Sequence, residues 1–218
     1  MRTDTLVWPD FCFLKTVHAI LNNSVADIPR EEGQNGLADA LMARQVLAGR
    51  DEFIGALVRK HSDRLYLILL RMVQSPNAAE DLLQDTWVLV MRKFHQYDPS
   101  RPILPWLTQI AVNCCRSYWR RERLRSLFRL AEISEKTKGR EPESVVNTPR
   151  EMEARVIAER ALGDLSPRLR EIVVLRFYSG LTNEDISEIL RIPLGTVKSR
   201  LNYALARMRD SIEKGEKP

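Results

Sequence analysis

From about residue 37 onward the apolar positions recur at spacings of three and four, and no stretch alternates with the period of two that a strand requires. Phe53, Ile54, Leu57 and Val58, followed by Leu65, Leu69, Met72 and Val73, predict two or three amphipathic helices. The next helix runs through AAEDLLQDTWVLVMRKF, with Asn77 placed to cap it, Glu80 placed for a capping box and an end near Phe94. Leu83, Trp87, Val90 and Phe94 give this helix an apolar side, whereas Asp81, Gln84, Asp85 and Val88 share an acidic one. A loop from His95 to Leu104, rich in turn formers (Asp98, Pro99, Ser100, Pro102), precedes a long helix that Pro105 should open at its first position. Leu107, Ile110, Ala111, Cys114 and Tyr118 form the inward stripe of that helix. Gln109, Arg116, Arg120 and Arg123 fall on its outward face, with Trp119 beside them.

Periodicity fades between residues 130 and 149, where both charge signs mix with Gly139, Pro142 and Pro149, the signature of a linker. Met152, Val156, Ile157 and Leu162 start a second helical unit, in which Ser166 caps a helix with Pro167 at its first position and Gly180 closes it. Leu181 to Arg209 then reads as two helices around a tight turn. Thr182 is the expected N-cap with Asp185 three residues on, Ile186, Ile189 and Leu190 mark the apolar face, and Pro193 is the expected stop. In the second helix Leu194, Val197, Leu201, Ala204, Leu205 and Met208 lie on one stripe. Ser199, Asn202 and Tyr203 therefore centre the opposite face, and Lys198, Arg200 and Arg207 lie on its shoulders. The expected fold is all-α: a poorly ordered extension (1–36), a helical domain (37–129), a flexible linker (130–149) and a helix-turn-helix domain (150–213).

Charge sharpens this picture. The net charge is +5 and the isoelectric point about 9.3, which favours an anionic partner. Five basic residues and no acid lie between Arg191 and Arg209, and six arginines against one acid lie between Arg116 and Arg129. Side chains such as Ser199, Asn202 and Tyr203 can reach base edges while flanking cations meet phosphates. Trp106, Tyr118 and Trp119 could stack on exposed bases; the phase of Tyr118 favours core packing, and the two tryptophans sit at the stripe's edge, open to either role. The acidic stripe at Asp81, Gln84 and Asp85 reads on pattern alone as a solvated face or as a docking face. Three cysteines (Cys12, Cys114, Cys115) offer no paired metal spacing, three scattered histidines (His18, His61, His95) form no catalytic set, and no nucleotide loop is present. No cofactor or metal is expected, nor a signal peptide or membrane anchor, so the chain is expected to be cytoplasmic and non-enzymatic.

The succession AEDLLQDTW, PWLTQIAVNCCRSYWRR, LSPRLREIVVLRFYSGLTNEDISEIL and IPLGTVKSRLNYALARMR resembles region 2 followed by region 4 of bacterial extracytoplasmic-function (ECF) sigma factors, over roughly Leu37 to Arg209. The resemblance implies a subunit that binds core RNA polymerase, through the clamp helices of its largest subunit and the flap of its second-largest, and reads promoter DNA. It places Asp81, Gln84, Asp85, Trp87 and Met91 against the clamp helices. It gives the −10 element to Trp106, Gln109, Arg116, Trp119, Arg120 and Arg123, with a flipped base held near the His95–Leu104 loop. The −35 element falls to Lys198, Ser199, Arg200, Asn202, Tyr203 and Arg207. The residues leave open which promoters are served and whether an anti-sigma protein silences the factor. An ordinary helix-turn-helix regulator with an N-terminal sensor domain is the competing class, and it has no use for the acidic stripe and the arginine-tryptophan helix together.

Overall fold

The computed structural model describes residues 34–50, 52–128 and 149–215, which are helical with no strand among them. In chain order the helices are α1 (Gln34–Leu47), α2 (Glu52–Val73), α3 (Pro76–Lys93), α4 (Ile103–Phe128), α5 (Pro149–Gly163), α6 (Pro167–Val173), α7 (Asn183–Leu190) and α8 (Leu194–Gly215). A 3-10 turn, Phe94–Gln96, extends α3, and a π-helical turn, Val174–Tyr178, extends α6. The N-terminal extension lies outside the described residues except for 34–36, which already belong to α1, and the linker lies outside them except for Pro149.

Local signals set most element ends, though not always those expected. The turn between α2 and α3 is made by Gln74 in the left-handed region (φ 56°), and Ser75 rather than Asn77 caps α3, accepting from the Ala78 amide with Pro76 in the first turn. Serine wins because Pro76 lacks the amide proton that the first turn would leave unpaired. Likewise α4 starts at Ile103, two residues before Pro105, and Ile103 is buried. The α7 start matches its signal: Thr182 accepts from the Asp185 amide and Asp185 accepts from the Thr182 amide, a complete capping box. Its end is made by Arg191 (φ 54°, ψ 48°), before Pro193: the amides of Arg191 and Ile192 return to the carbonyls of Glu188 and Ser187 in a Schellman pattern. No glycine announces that turn.

The first unit packs α2, α3 and α4 around Leu57, Leu65, Leu69, Leu82, Val90, Leu107 and Ala111, with α1 laid on α2. Buried Asp39 on α1 meets Lys60 at 2.8 Å and His61 at 3.3 Å. The second unit packs α8 against α5, α6 and α7, with the π turn on α7, around Leu162, Ile172, Leu175, Ile186, Val197, Leu201 and Met208. Each such leucine, isoleucine, valine or methionine side chain stabilises the fold by about 1.5–3 kcal/mol relative to leaving it exposed. The two units are not separate bodies here: α2 packs on α6 and the π turn, α4 packs on α7, and one continuous apolar cluster runs through both.

Candidate nucleic-acid interface

Burying the Val197–Leu201–Ala204–Leu205–Met208 stripe turns the other side of α8 outward, and Lys198, Ser199, Asn202, Tyr203 and Arg207 are all exposed, Tyr203 at 58%. Ser199 Oγ donates to the Thr196 carbonyl, which keeps that hydroxyl against the helix. Arg200, half-buried, turns instead toward the cleft between the two units.

The region around α4 is built differently. Phe94, Tyr97 and Trp106 form an aromatic cluster, Trp106 meeting Phe94 edge-on at 5.7 Å and Tyr97 at 5.1 Å between ring centroids. The cluster pins both ends of the 97–102 loop. Buried Tyr97 donates its hydroxyl to the Arg101 carbonyl, and burial pushes its phenol up to about 12, so it stays a donor. At the loop's tip Asp98 accepts from the amide and hydroxyl of Ser100 at 2.9 and 2.7 Å, and those bonds hold its carboxyl below the usual range. Trp106 is half-buried as part of this scaffold.

Farther along α4, Arg120 and Arg123 are exposed, while Gln109 and Trp119 are half-buried. Arg116, expected to face outward free, is held by the other unit: its guanidinium donates to Glu171 through Nε–Oε1 at 2.7 Å and Nη2–Oε2 at 3.1 Å. Arg116, Trp119, Arg120 and Arg123 line one wall of a cleft of about 1180 Å³ whose other wall carries Arg168, Ile192 and Arg200. Sequence reasoning missed Arg168 and Glu171. Cys114 and Cys115 are buried, and burial pushes both thiols up, so they pack rather than react.

On α3, Asp81, Gln84, Asp85, Val88 and Met91 are exposed along one face, Val88 at 41% and Met91 at 50%. Trp87 does not join them. It is 8% exposed and its indole N–H donates to Ser62 Oγ at 3.0 Å, so the residue expected against the clamp helices lies under that face, where its apolar phase with Val90 and Phe94 carries it. Among the described residues no group of three potential metal ligands gathers and no helix is long and apolar enough to cross a membrane.

This arrangement of a capped helix-turn-helix behind an arginine-rich helix and an acidic one has matches in known proteins. Residues 57–125 match the family described as Sigma-70 region 2, and residues 161–210 match Sigma-70, region 4. The chain is 30% identical over 162 residues to RNA polymerase sigma factor CarQ of Myxococcus xanthus, covering 74% of this chain and 90% of that protein. It is 32% identical over 160 residues to the ECF RNA polymerase sigma factor SigE of Mycolicibacterium smegmatis, covering 72% of this chain and 61% of SigE. Among solved structures the fold is similar to CnrH in complex with the cytosolic domain of CnrY (TM-score 0.58, 22% identity, 83% of this chain and 99% of that one). It is also similar to RpoE in complex with the anti-sigma factor NepR from Bartonella quintana (TM-score 0.62, 23% identity, 77% and 99%). The chain thus belongs to the extracytoplasmic-function group of the sigma-70 family, the RNA polymerase subunits that direct promoter-specific transcription initiation.

Proposed function

We propose that the chain docks on core polymerase through the α3 face of Asp81, Gln84, Asp85 and Met91, with Trp87 positioning that face from beneath. Exposed carboxylates beside exposed Val88 and Met91 suit a basic, partly apolar partner, as the clamp helices of the largest subunit would be. Gln109, Arg116, Trp119, Arg120 and Arg123 hold the −10 strand, mainly by its phosphates, and Trp106 acts by fixing the loop that receives the extruded base. Lys198, Ser199, Asn202, Tyr203 and Arg207 read the −35 element, with Arg200 joining them once it leaves the cleft, and region 4 docks on the flap of the second-largest subunit. The protein works in the cytoplasm, has no catalytic chemistry of its own and needs no cofactor. An anti-sigma protein is a further candidate partner, by analogy with the RpoE relative solved in complex with the anti-sigma factor NepR.

The observation that carries this reading is the pairing, in one molecule, of an exposed recognition face on α8 with an exposed acidic-apolar face on α3. Run-off transcription from genomic fragments tests it: core polymerase plus this chain should initiate at discrete sites that core polymerase alone ignores. DNA binding without polymerase-dependent transcripts would make the chain an ordinary helix-turn-helix regulator instead.

A further inference from the structure

One contact between the two units uses Arg116, a side chain proposed to hold DNA. Glu171 is 3% exposed, and burial pushes its carboxyl above the usual range, against the pull of Arg116 first and of Arg200 and Arg168 after it. Its two oxygens take Arg116 through the same fork that a phosphate takes, and one guanidinium cannot present that fork to both. Arg116 also donates Nη1 to the Leu190 carbonyl of α7 at 3.4 Å, and three further bridges between the units use arginines outside the proposed DNA faces. Arg64 donates to the Ser179 carbonyl at 2.9 Å, Arg71 pairs with Glu159 at 3.0 Å and lies 4.1 Å over the Tyr178 ring, and Arg170 reaches the Met72 carbonyl at 3.1 Å.

We propose that Glu171 is an internal competitor of promoter phosphate for Arg116, so that closure of region 4 on region 2 and engagement of DNA by Arg116 exclude each other. The inference rests on the phosphate-binding reading of Arg116. A half-buried ion pair suits this task because the cost of desolvating the Glu171 carboxylate offsets much of the attraction, so the contact specifies the closed arrangement without making it irreversible. Release frees Arg116 and opens the cleft in which Trp119, Arg120 and Arg200 face one another. The free chain therefore binds DNA less tightly than its exposed arginines would allow, by the fraction of molecules that are open.

The test uses the full chain carrying Cys12→Ser with spin labels at Arg92→Cys and Asp210→Cys, both exposed positions on different units. Pulsed electron resonance reads the separation of the units, and fluorescence anisotropy reads binding of a mixed-sequence single-stranded DNA at fixed salt. Glu171→Gln keeps the shape and removes the charge; it should lengthen or broaden the distance distribution and tighten DNA binding by about fivefold. That gain should vanish in an Arg116→Ala background. An unchanged distance distribution and unchanged affinity would overturn the proposal, as would a gain that persists without Arg116. Units that separate while Arg116→Ala leaves affinity untouched would also overturn it, and would locate the failure in the phosphate reading of Arg116. Should Glu171→Gln not fold, Arg64→Gln, which removes the bridge to Ser179, carries the same expectations on both readouts.

Discussion

Replacing Arg170 with alanine should be the most damaging single polar substitution in the second unit. Its guanidinium donates to the carbonyls of Leu162 (3.1 Å), Gly163 (2.8 Å) and Leu165 (2.9 Å) where α5 ends, and to Met72 (3.1 Å) where α2 ends. Terminal carbonyls have no partner within their own helix, so one cation closes two helix ends and sits at the negative pole of both dipoles. Each charged hydrogen bond is worth about 1.5–3 kcal/mol, but burial pulls this guanidinium below its usual range, and water enters a half-buried site once the side chain is gone. The net loss should be about 3 kcal/mol, or roughly 6–12 °C in melting temperature for a chain of this size. Arg170→Lys keeps the charge but not the planar fork and should lose about half as much. Urea and thermal melts followed by far-ultraviolet circular dichroism measure both. A loss in Arg170→Ala under about 0.5 kcal/mol would refute the carbonyl-closing role, and a lysine variant equal to the parent would show that charge rather than geometry matters.

The remaining expectations concern the two faces and pH. Asp81→Arg and Asp85→Arg should weaken core polymerase binding without changing the melting transition, since both side chains are exposed; unaltered affinity in both variants would reject the docking face. Across a library of −35 sequences, Ser199→Ala, Asn202→Ala and Tyr203→Ala should change which sequences are preferred, whereas Lys198→Ala should weaken all alike; uniform losses for all four would reject the division of the α8 face. For Asp39, burial is the largest influence and raises the carboxyl, but the hydrogen bonds and charges of His61 and Lys60 together outweigh it and hold it below 3.8. Its stabilisation is therefore present above that value and lost as pH falls through the lower folded-state value, so Asp39→Asn should cost about 1 kcal/mol at neutral pH and progressively less below it. A cost independent of pH would count against the charged pair.

Sequence reading succeeded where the signal is local. The Thr182–Asp185 box, the buried stripe of α8 and the exposed residues opposite it follow from spacings within one helix, and the structure places them accordingly. It failed where an end or a partner depends on something distant or unmarked. Arg191 adopts the left-handed turn at a cost of about 1 kcal/mol that glycine would avoid, so nothing in its identity announces the end of α7. Trp87 shares its helix with an acidic face, and only its phase with Val90 and Phe94 sends it inward.

The packing of the two units was the larger omission, yet its trace is in the chain. In EIVVLRFY the apolar residues do not keep to one side, and Ile172, Val173, Val174, Leu175, Phe177 and Tyr178 are all buried. A segment apolar all round must be covered all round, which a four-helix unit with a solvated exterior does not supply by itself. α4 carries the matching excess: beside the stripe of Leu107, Ile110, Ala111 and Cys114 runs a second buried row, Thr108, Val112 and Cys115, which continues toward Arg116 and Trp119. Within region 2 these rows pack against α2 and α3, and the helix also meets α7 of the other unit. A charge that becomes buried at the margin of a surface covered in this way needs a polar partner across the seam. Glu171, at the start of the apolar run, and Arg116, at the end of the second row, are the pair that this requirement brings together.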